Sequence, residues 1–169
     1  MKLAVVAVGR LKDGPERELV ERYGERTAGL GRSLGFAPVQ FLEIPESRAR
    51  RDADRRAEEG TAILDKAAGA VLVAFDERGR SLASDAFAER IAGWRDQGRS
   101  GLSFVIGGPD GLDGRVRAAA DLVLSFGALT LPHQLVRVLV VEQLYRALTI
   151  LAGHPYHRAG SSGPDDPLP

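Results

Sequence analysis

The chain has 169 residues, 44% of them hydrophobic and 27% charged, which is enough for one domain with a buried core and ordinary for a globular protein. Its 23 basic and 23 acidic residues cancel, so bulk positive charge does not carry binding to nucleic acid, although a local basic surface stays possible. With no cysteine, disulfides, thiolate metal sites and cysteine nucleophiles are excluded, and no apolar run reaches the length of a membrane span.

The opening "MKLAVVAVGR" lacks a small-residue cleavage site and predicts a first buried strand over Lys2–Val8 rather than a signal peptide. A helix follows from Pro15 to about Leu30, with Leu19, Val20 and Tyr23 at helical spacing. "PVQFLEIP" predicts a second strand, with Val39, Phe41 and Ile44 in imperfect alternation. Asp52–Ala68 predicts a helix capped by Asp52 and ended near Gly69. Ala70–Phe75 is the clearest buried strand. Ser84–Asp96 reads as a helix, with Ser84 or Asp85 as cap and Phe87, Ile91 and Trp94 on one face. "LSFVIGG" is a strand running into glycine, a short helix near Arg115–Ala120 leads to the strand "DLVLSF", and a long helix from about Gln134 to Ala152 closes the fold. Strand and helix alternate throughout. The expected fold is α/β, a mostly parallel sheet flanked by helices, in one domain over 1–158. The small, polar, proline-rich end "AGSSGPDDPLP", 159–169, is expected to be a disordered tail. "ESRARRDADRRAEEG" reads as a solvated loop and helix face whose Arg48, Arg50 and Arg51 could also touch phosphate.

Parallel sheets bind ligands at the carboxyl ends of their strands. Three such ends stand out: Phe75-Asp76, "IGGPDG" at Ile106–Gly111, and "FGALTLPH" at Phe126–His133. Gly107 and Gly108 let a ligand approach the backbone, but the Lys-Ser/Thr of a P-loop is missing and a Pro-Asp-Gly turn explains the glycines equally well. "GALTLPH" holds Leu129 and Leu131 around Thr130. It either wraps an apolar or aromatic ligand while its backbone bonds the ligand's polar edge, or it is a buried connection under the next helix.

That next helix is apolar nearly all round, which predicts burial on all sides. Arg137 in its first turn must be paired or reach a ligand. Glu142 and Arg146, at i and i+4, can pair with each other. The three histidines, His133, His154 and His157, are too widely spaced for a zinc set, so no metal is expected. His154 and His157, together with Tyr156 and Arg158, suit hydrogen bonding, stacking and phosphate contact.

"IGGPDGL", "LSFGALTLPHQLVRVLVVEQLYRA" and "HPYHR", in this order and spacing, closely resemble the RlmH family of SPOUT methyltransferases. "MKLAVVAVGRLK" and "LDKAAGAVLVAFDERG" resemble it too, so the likeness covers roughly 1–158. It implies a sheet ending in a trefoil knot, although general topology rules favour an unknotted chain. It also implies a homodimer that transfers a methyl group from S-adenosylmethionine to N3 of a pseudouridine in the large-subunit (23S) ribosomal RNA of the assembled ribosome; the cytoplasm is expected from the composition and the missing signal peptide. The family's cofactor positions fall on Phe75, Gly107, Phe126, Gly127, Ala128, Leu129, Thr130 and Leu131. Arg137 and the end His154–Arg158 then face the methyl donor across the dimer interface. His133, His154 or Glu142 would take the N3 proton, Arg137 would stabilise the developing anion, and Tyr156 joins this catalytic set. His157, Arg158 and Arg146 fall to RNA contact. Another RNA target, a non-catalytic ribosome-binding module, and a phosphate- or nucleotide-binding enzyme using "GGPDG" are the alternatives.

Overall fold

The structure is a computed structural model and describes residues 1–156. The sequence-based expectations for His157, Arg158 and the tail 159–169 lie outside the described residues. Ten main elements follow in order: β1 (Lys2–Val8), α1 (Pro15–Gly31), β2 (Val39–Ile44), α2 (Asp52–Lys66), β3 (Val71–Arg80), α3 (Ser84–Asp96), β4 (Gly101–Ile106), α4 (Gly114–Ala119), β5 (Leu122–Leu124) and α5 (His133–Leu151). The five strands form one sheet in the order β2-β1-β4-β3-β5, and every pairing is parallel.

A parallel sheet must be covered on both faces, which is why its strands read as continuous apolar runs. β4, second from neither edge but at the centre, is buried at all six positions. One face, with Val5, Val73 and Phe104, packs against Val20 of α1, Ile91 of α3 and Leu144 of α5. The other, with Val6, Leu72 and Val105, packs against Ile63 of α2 and Val116 of α4. β2 is an edge strand, and its Phe41 stays 43% exposed rather than joining the inward face.

The structure corrects four local expectations. Arg51, not Asp52, holds the cap position of α2; Asp52 is the first helical residue and accepts from the Ala53 amide at 2.8 Å. Ala83 rather than Ser84 or Asp85 occupies the cap position of α3, while the Ser84 hydroxyl donates to Gln143 of α5 at 3.0 Å. β3 runs past Phe75 to Arg80. Leu124 of β5 is paired with both Phe75 and Arg80, so residues 76–79 bulge out between two contacts with one residue. Finally, α5 is not covered on every side by its own chain. Val138, Val140, Val141, Leu144, Ala147 and Leu148 are buried, but Leu135 is 42% exposed.

Candidate active site

The carboxyl ends of β3, β4 and β5 are neighbours because these strands adjoin in the sheet. Beyond them lies a cavity of about 700 Å³, lined by Phe75, Gly107, Phe126, Leu129, Thr130 and Leu131 among others. Gly127 and His133 also line it, whereas Ala128 does not. The Phe75 and Phe126 rings stack at 5.0 Å and 13°. They form an aromatic wall with Phe75 buried and Phe126 38% exposed.

The loop after β5 stands out from the surface. Leu129 is 84% exposed, which overturns the reading of this loop as a buried connection. Gly127 has φ 127°, a conformation glycine tolerates, and its amide is bonded to the Ser125 hydroxyl at 3.1 Å. Among the described residues, no hydrogen bond engages the backbone of residues 128–131. An exposed leucine beside free backbone donors and acceptors suits a flat heterocycle: apolar faces, polar edge.

The glycine loop after β4 is shaped by its own backbone. A Cβ on Gly107 would lie 2.9 Å from the Gly111 carbonyl carbon. The Gly111 amide donates to the Gly108 carbonyl at 2.9 Å, closing the Pro-Asp-Gly turn. Asp110 projects from this turn into a two-pronged pair with Arg55 of α2, Nε–Oδ2 2.6 Å and Nη2–Oδ1 3.0 Å. Arg55 holds the Asp110 carboxyl below its usual range, first through that hydrogen bond. Opposite, Arg117 of α4 pairs with Asp76 of the β3 bulge at 3.2 Å and also donates to the Leu112 carbonyl. The bulge puts Glu77 and Arg78 on the cavity wall. Arg55, Arg78 and Arg117 escaped sequence reading, and Asp76 was marked there only as the end of a strand. The Pro-Asp-Gly turn marks Asp110, but nothing local marks a partner 55 positions away.

The residues expected to carry catalysis divide into three places. His133 opens α5 at the cavity. Arg137, one turn on, is 4% exposed and points elsewhere, donating to the carbonyls of Val8 and Gly9 at 2.6 and 2.7 Å and pairing with Glu43 at 3.2 Å. It does not line the cavity beside the loop. Burial depresses its pKa and Glu43 opposes that shift. Glu142, nine residues after His133, lies about 14 Å from it along the helix axis, at ~1.5 Å per residue. It accepts from Arg146 at 2.6 Å, from Gln143 at 2.6 Å and from the Tyr156 hydroxyl at 3.2 Å. Burial, then hydrogen bonding to Tyr23 and the charge of Glu142, push the Tyr156 phenol well above its ordinary value. The Tyr156 ring lies beneath the Arg146 guanidinium at 5.1 Å. His154 accepts from the Tyr156 amide through Nδ1 at 3.2 Å. Among the described residues, no three His, Asp or Glu side chains cluster to hold a metal ion, and no helix is long and apolar enough to cross a membrane.

A strand-end cavity with a protruding loop before a long closing helix defines a class, and the match to the "Predicted SPOUT methyltransferase" family model over residues 1–157 names it. The chain belongs to the SPOUT methyltransferase family. It is 64% identical over 165 residues to the ribosomal RNA large subunit methyltransferase H of Methylobacterium radiotolerans, covering 96% of this chain and all of that one. The protein of the same name from Bradyrhizobium diazoefficiens is 57% identical over 163 residues, covering 94% of this chain and 100% of that one. Among solved structures, the tRNA (m1G37) methyltransferase of Aquifex aeolicus aligns over 96% of this chain and 77% of its own, with TM-score 0.53 and 13% identity. A probable methylase family protein from Haemophilus influenzae aligns over 93% and 70%, with TM-score 0.53 and 12% identity. These two share the fold.

Proposed function

We propose that residues 1–158 act as one domain that methylates large-subunit ribosomal RNA at N3 of a pseudouridine, on the assembled ribosome and in the cytoplasm, with S-adenosylmethionine as donor. The single observation that carries this reading is the cavity where Phe75, Gly107 and the loop Phe126–Leu131 meet. Names borne by relatives at 57–64% identity support large-subunit ribosomal RNA as the substrate, and the motif resemblance supports N3 of a pseudouridine.

The cavity fits the donor. Phe75, Phe126 and Leu129 offer apolar faces for an adenine, and the unbonded backbone of residues 128–131 offers partners for its edge. When bound, S-adenosylmethionine supplies an activated methyl group on a sulfonium. The protein's task is then alignment and removal of one proton. An imide N–H is acidic enough that a neutral imidazole suffices. His133, at the cavity, is placed to accept that proton. Glu142 is less suited, because Arg146, Gln143 and Tyr156 already occupy its oxygens. Arg137 contributes by bracing the first turn of α5 against the end of β1. In this placement it acts on the site through the backbone.

We further infer a homodimer whose active sites are composite. The Glu142–Tyr156 group is reached about 14 Å along α5 from His133, half the length of the helix, at ~1.5 Å per residue. One copy alone does not bring them together; the exposed Leu135 flank of α5 supports a second copy packing there and joining one copy's His133 to the other's Glu142–Tyr156 group. The decisive experiment incubates purified ribosomes, and separately free ribosomal RNA, with labelled S-adenosylmethionine and identifies the product nucleoside by mass spectrometry. The expected product is N3-methylpseudouridine from ribosomes. Label on another nucleoside, or none, would refute the proposed substrate.

A further inference from the structure

Two residues of α2 reach outward from the helix to grip two separate segments. Arg55 takes Asp110 of the glycine loop with Nε and Nη2, at 2.6 and 3.0 Å. Its remaining nitrogen, Nη1, donates to the carbonyls of Ala49 and Arg50, both at 3.1 Å. One turn later, Glu59 accepts from the Ser47 amide at 2.9 Å, and its other oxygen lies 3.2 Å from where a Gly108 Cβ would stand. The same helix also carries the Ala57 carbonyl that accepts from Arg115, at 2.7 Å, at the start of α4. Segment 47–51 and loop 107–113 are thus fastened to one bracket. The first bears Arg48 and Arg50, exposed and without side-chain partners among the described residues. Arg51 is occupied by Asp54 at 2.7 Å and Arg56 by Asp52 at 3.1 Å. The second lines the cavity.

We propose that Arg55 is a positioning residue that locks the glycine loop 107–113 and the Arg48–Arg51 segment into one body, and that Arg48 and Arg50 hold RNA phosphate beside the cavity. The inference rests on the RNA methyltransferase reading. Every arm of the Arg55 guanidinium is committed inside the protein, so it does not itself meet RNA; it sets the distance between the groups that do. The pairing needs a planar fork. A lysine ammonium can satisfy Asp110 or the two carbonyls, not all of them. Net charge of zero is compatible with this surface, because two unpaired cations held in fixed register beside the acceptor site act locally where bulk charge does not.

The test uses the full-length protein with purified ribosomes. Arg55→Lys keeps the charge and is expected to weaken S-adenosylmethionine binding by roughly tenfold, the loss of one charge-assisted contact. Asp110→Asn should show the same defect, and the double variant should be no worse than either single one. Arg48→Ala with Arg50→Ala should leave cofactor affinity unchanged, raise the KM for ribosomes with kcat preserved, and flatten the salt dependence of ribosome binding by about two counterions. Wild-type cofactor affinity in Arg55→Lys, additive effects in the double variant, or an unchanged salt slope without Arg48 and Arg50 would each overturn the proposal. Failure of the wild type to methylate ribosomes that it nevertheless binds refutes the enzymatic reading alone, since cofactor calorimetry and ribosome binding still decide the roles of Arg55, Arg48 and Arg50. A wild type that binds no S-adenosylmethionine sinks both.

Discussion

Leu129 is the side chain most at odds with its surroundings. At 84% exposed it contributes almost nothing to the fold, so Leu129→Ala should shift stability by no more than about 0.5 kcal/mol. Covered by a ligand, the same side chain is worth roughly 1.5 kcal/mol, so calorimetry should show about tenfold weaker S-adenosylmethionine binding. Unchanged affinity would remove the leucine from the site. Gly107 behaves oppositely. Its Cβ would press on the Gly111 backbone at 2.9 Å, so Gly107→Val should lose stability together with cofactor binding. The open approach that glycine suggests in sequence is already filled by the chain's own turn, and a variant that melts like wild type would contradict that packing.

Glu59 gives a residue-scale test with a sign. Burial, ahead of the Asp110 and Glu46 charges, raises its pKa against the pull of the Ser47 amide, and one of its oxygens has no partner. The folded state therefore binds this proton more tightly than the unfolded chain does. Stability is fully present below the ordinary carboxyl range and falls as pH rises through the raised value. Glu59→Gln keeps an oxygen for Ser47 and removes the charge. Its melting temperature relative to wild type should be higher at pH 7 than at pH 4. An equal difference at both pH values would show that the carboxyl does not titrate differently in the fold.

At the scale of elements, the sequence was most legible where patterns are local. The runs of Val and Ala in β1 and β3, the face Phe87, Ile91 and Trp94, and the break before α5 all fell where periodicity placed them. Caps were less legible: Asp52 and Ser84 look like N-caps by type, but Asp52 bonds its neighbour's amide and the Ser84 hydroxyl prefers α5. The continuation of β3 to Arg80 was hidden, because "DERGR" carries no strand signature and is held by distant partners, Leu124 and the Ser125 amide at Arg80 and Arg117 at Asp76. The Leu124 contact has a steric consequence. A Cβ on Gly79 would lie 2.3 Å from the Leu124 carbonyl carbon, backbone against backbone, with nothing flexible to yield. Gly79→Ala should cost about 3 kcal/mol in chemical denaturation. A cost below about 1 kcal/mol would mean that the bulge can lift away from β5.

For the whole molecule, the motifs named candidate residues but not that α5 holds them apart. "VRVLVVEQLYRA" places Arg137, Glu142 and Arg146 on one helix, whereas their destinations are the end of β1 and the Tyr156 group. Composite sites predict complementation. Gly127→Val should disable the cofactor loop, and truncation after Gly153 should remove His154 and Tyr156; each homodimer should be nearly inactive. Mixed by unfolding and refolding together, they should recover about a quarter of wild-type turnover, because half of the dimers are hybrid and each hybrid restores one site of two. No recovery would place a complete site within one copy.

The parallel sheet also sets a timetable for the newborn chain. β1 lies between β2 and β4, and Lys2 is paired with Gly101. At a synthesis rate of about 5–20 residues per second, some 5–20 s pass between the emergence of these two partners. Throughout that interval "LAVVAV" has one hydrogen-bonding edge unpaired and its apolar faces only partly covered, the condition under which strands join the wrong neighbour. Lys2 at its start and Arg10 shortly after its end place a cation at each margin of the vulnerable stretch.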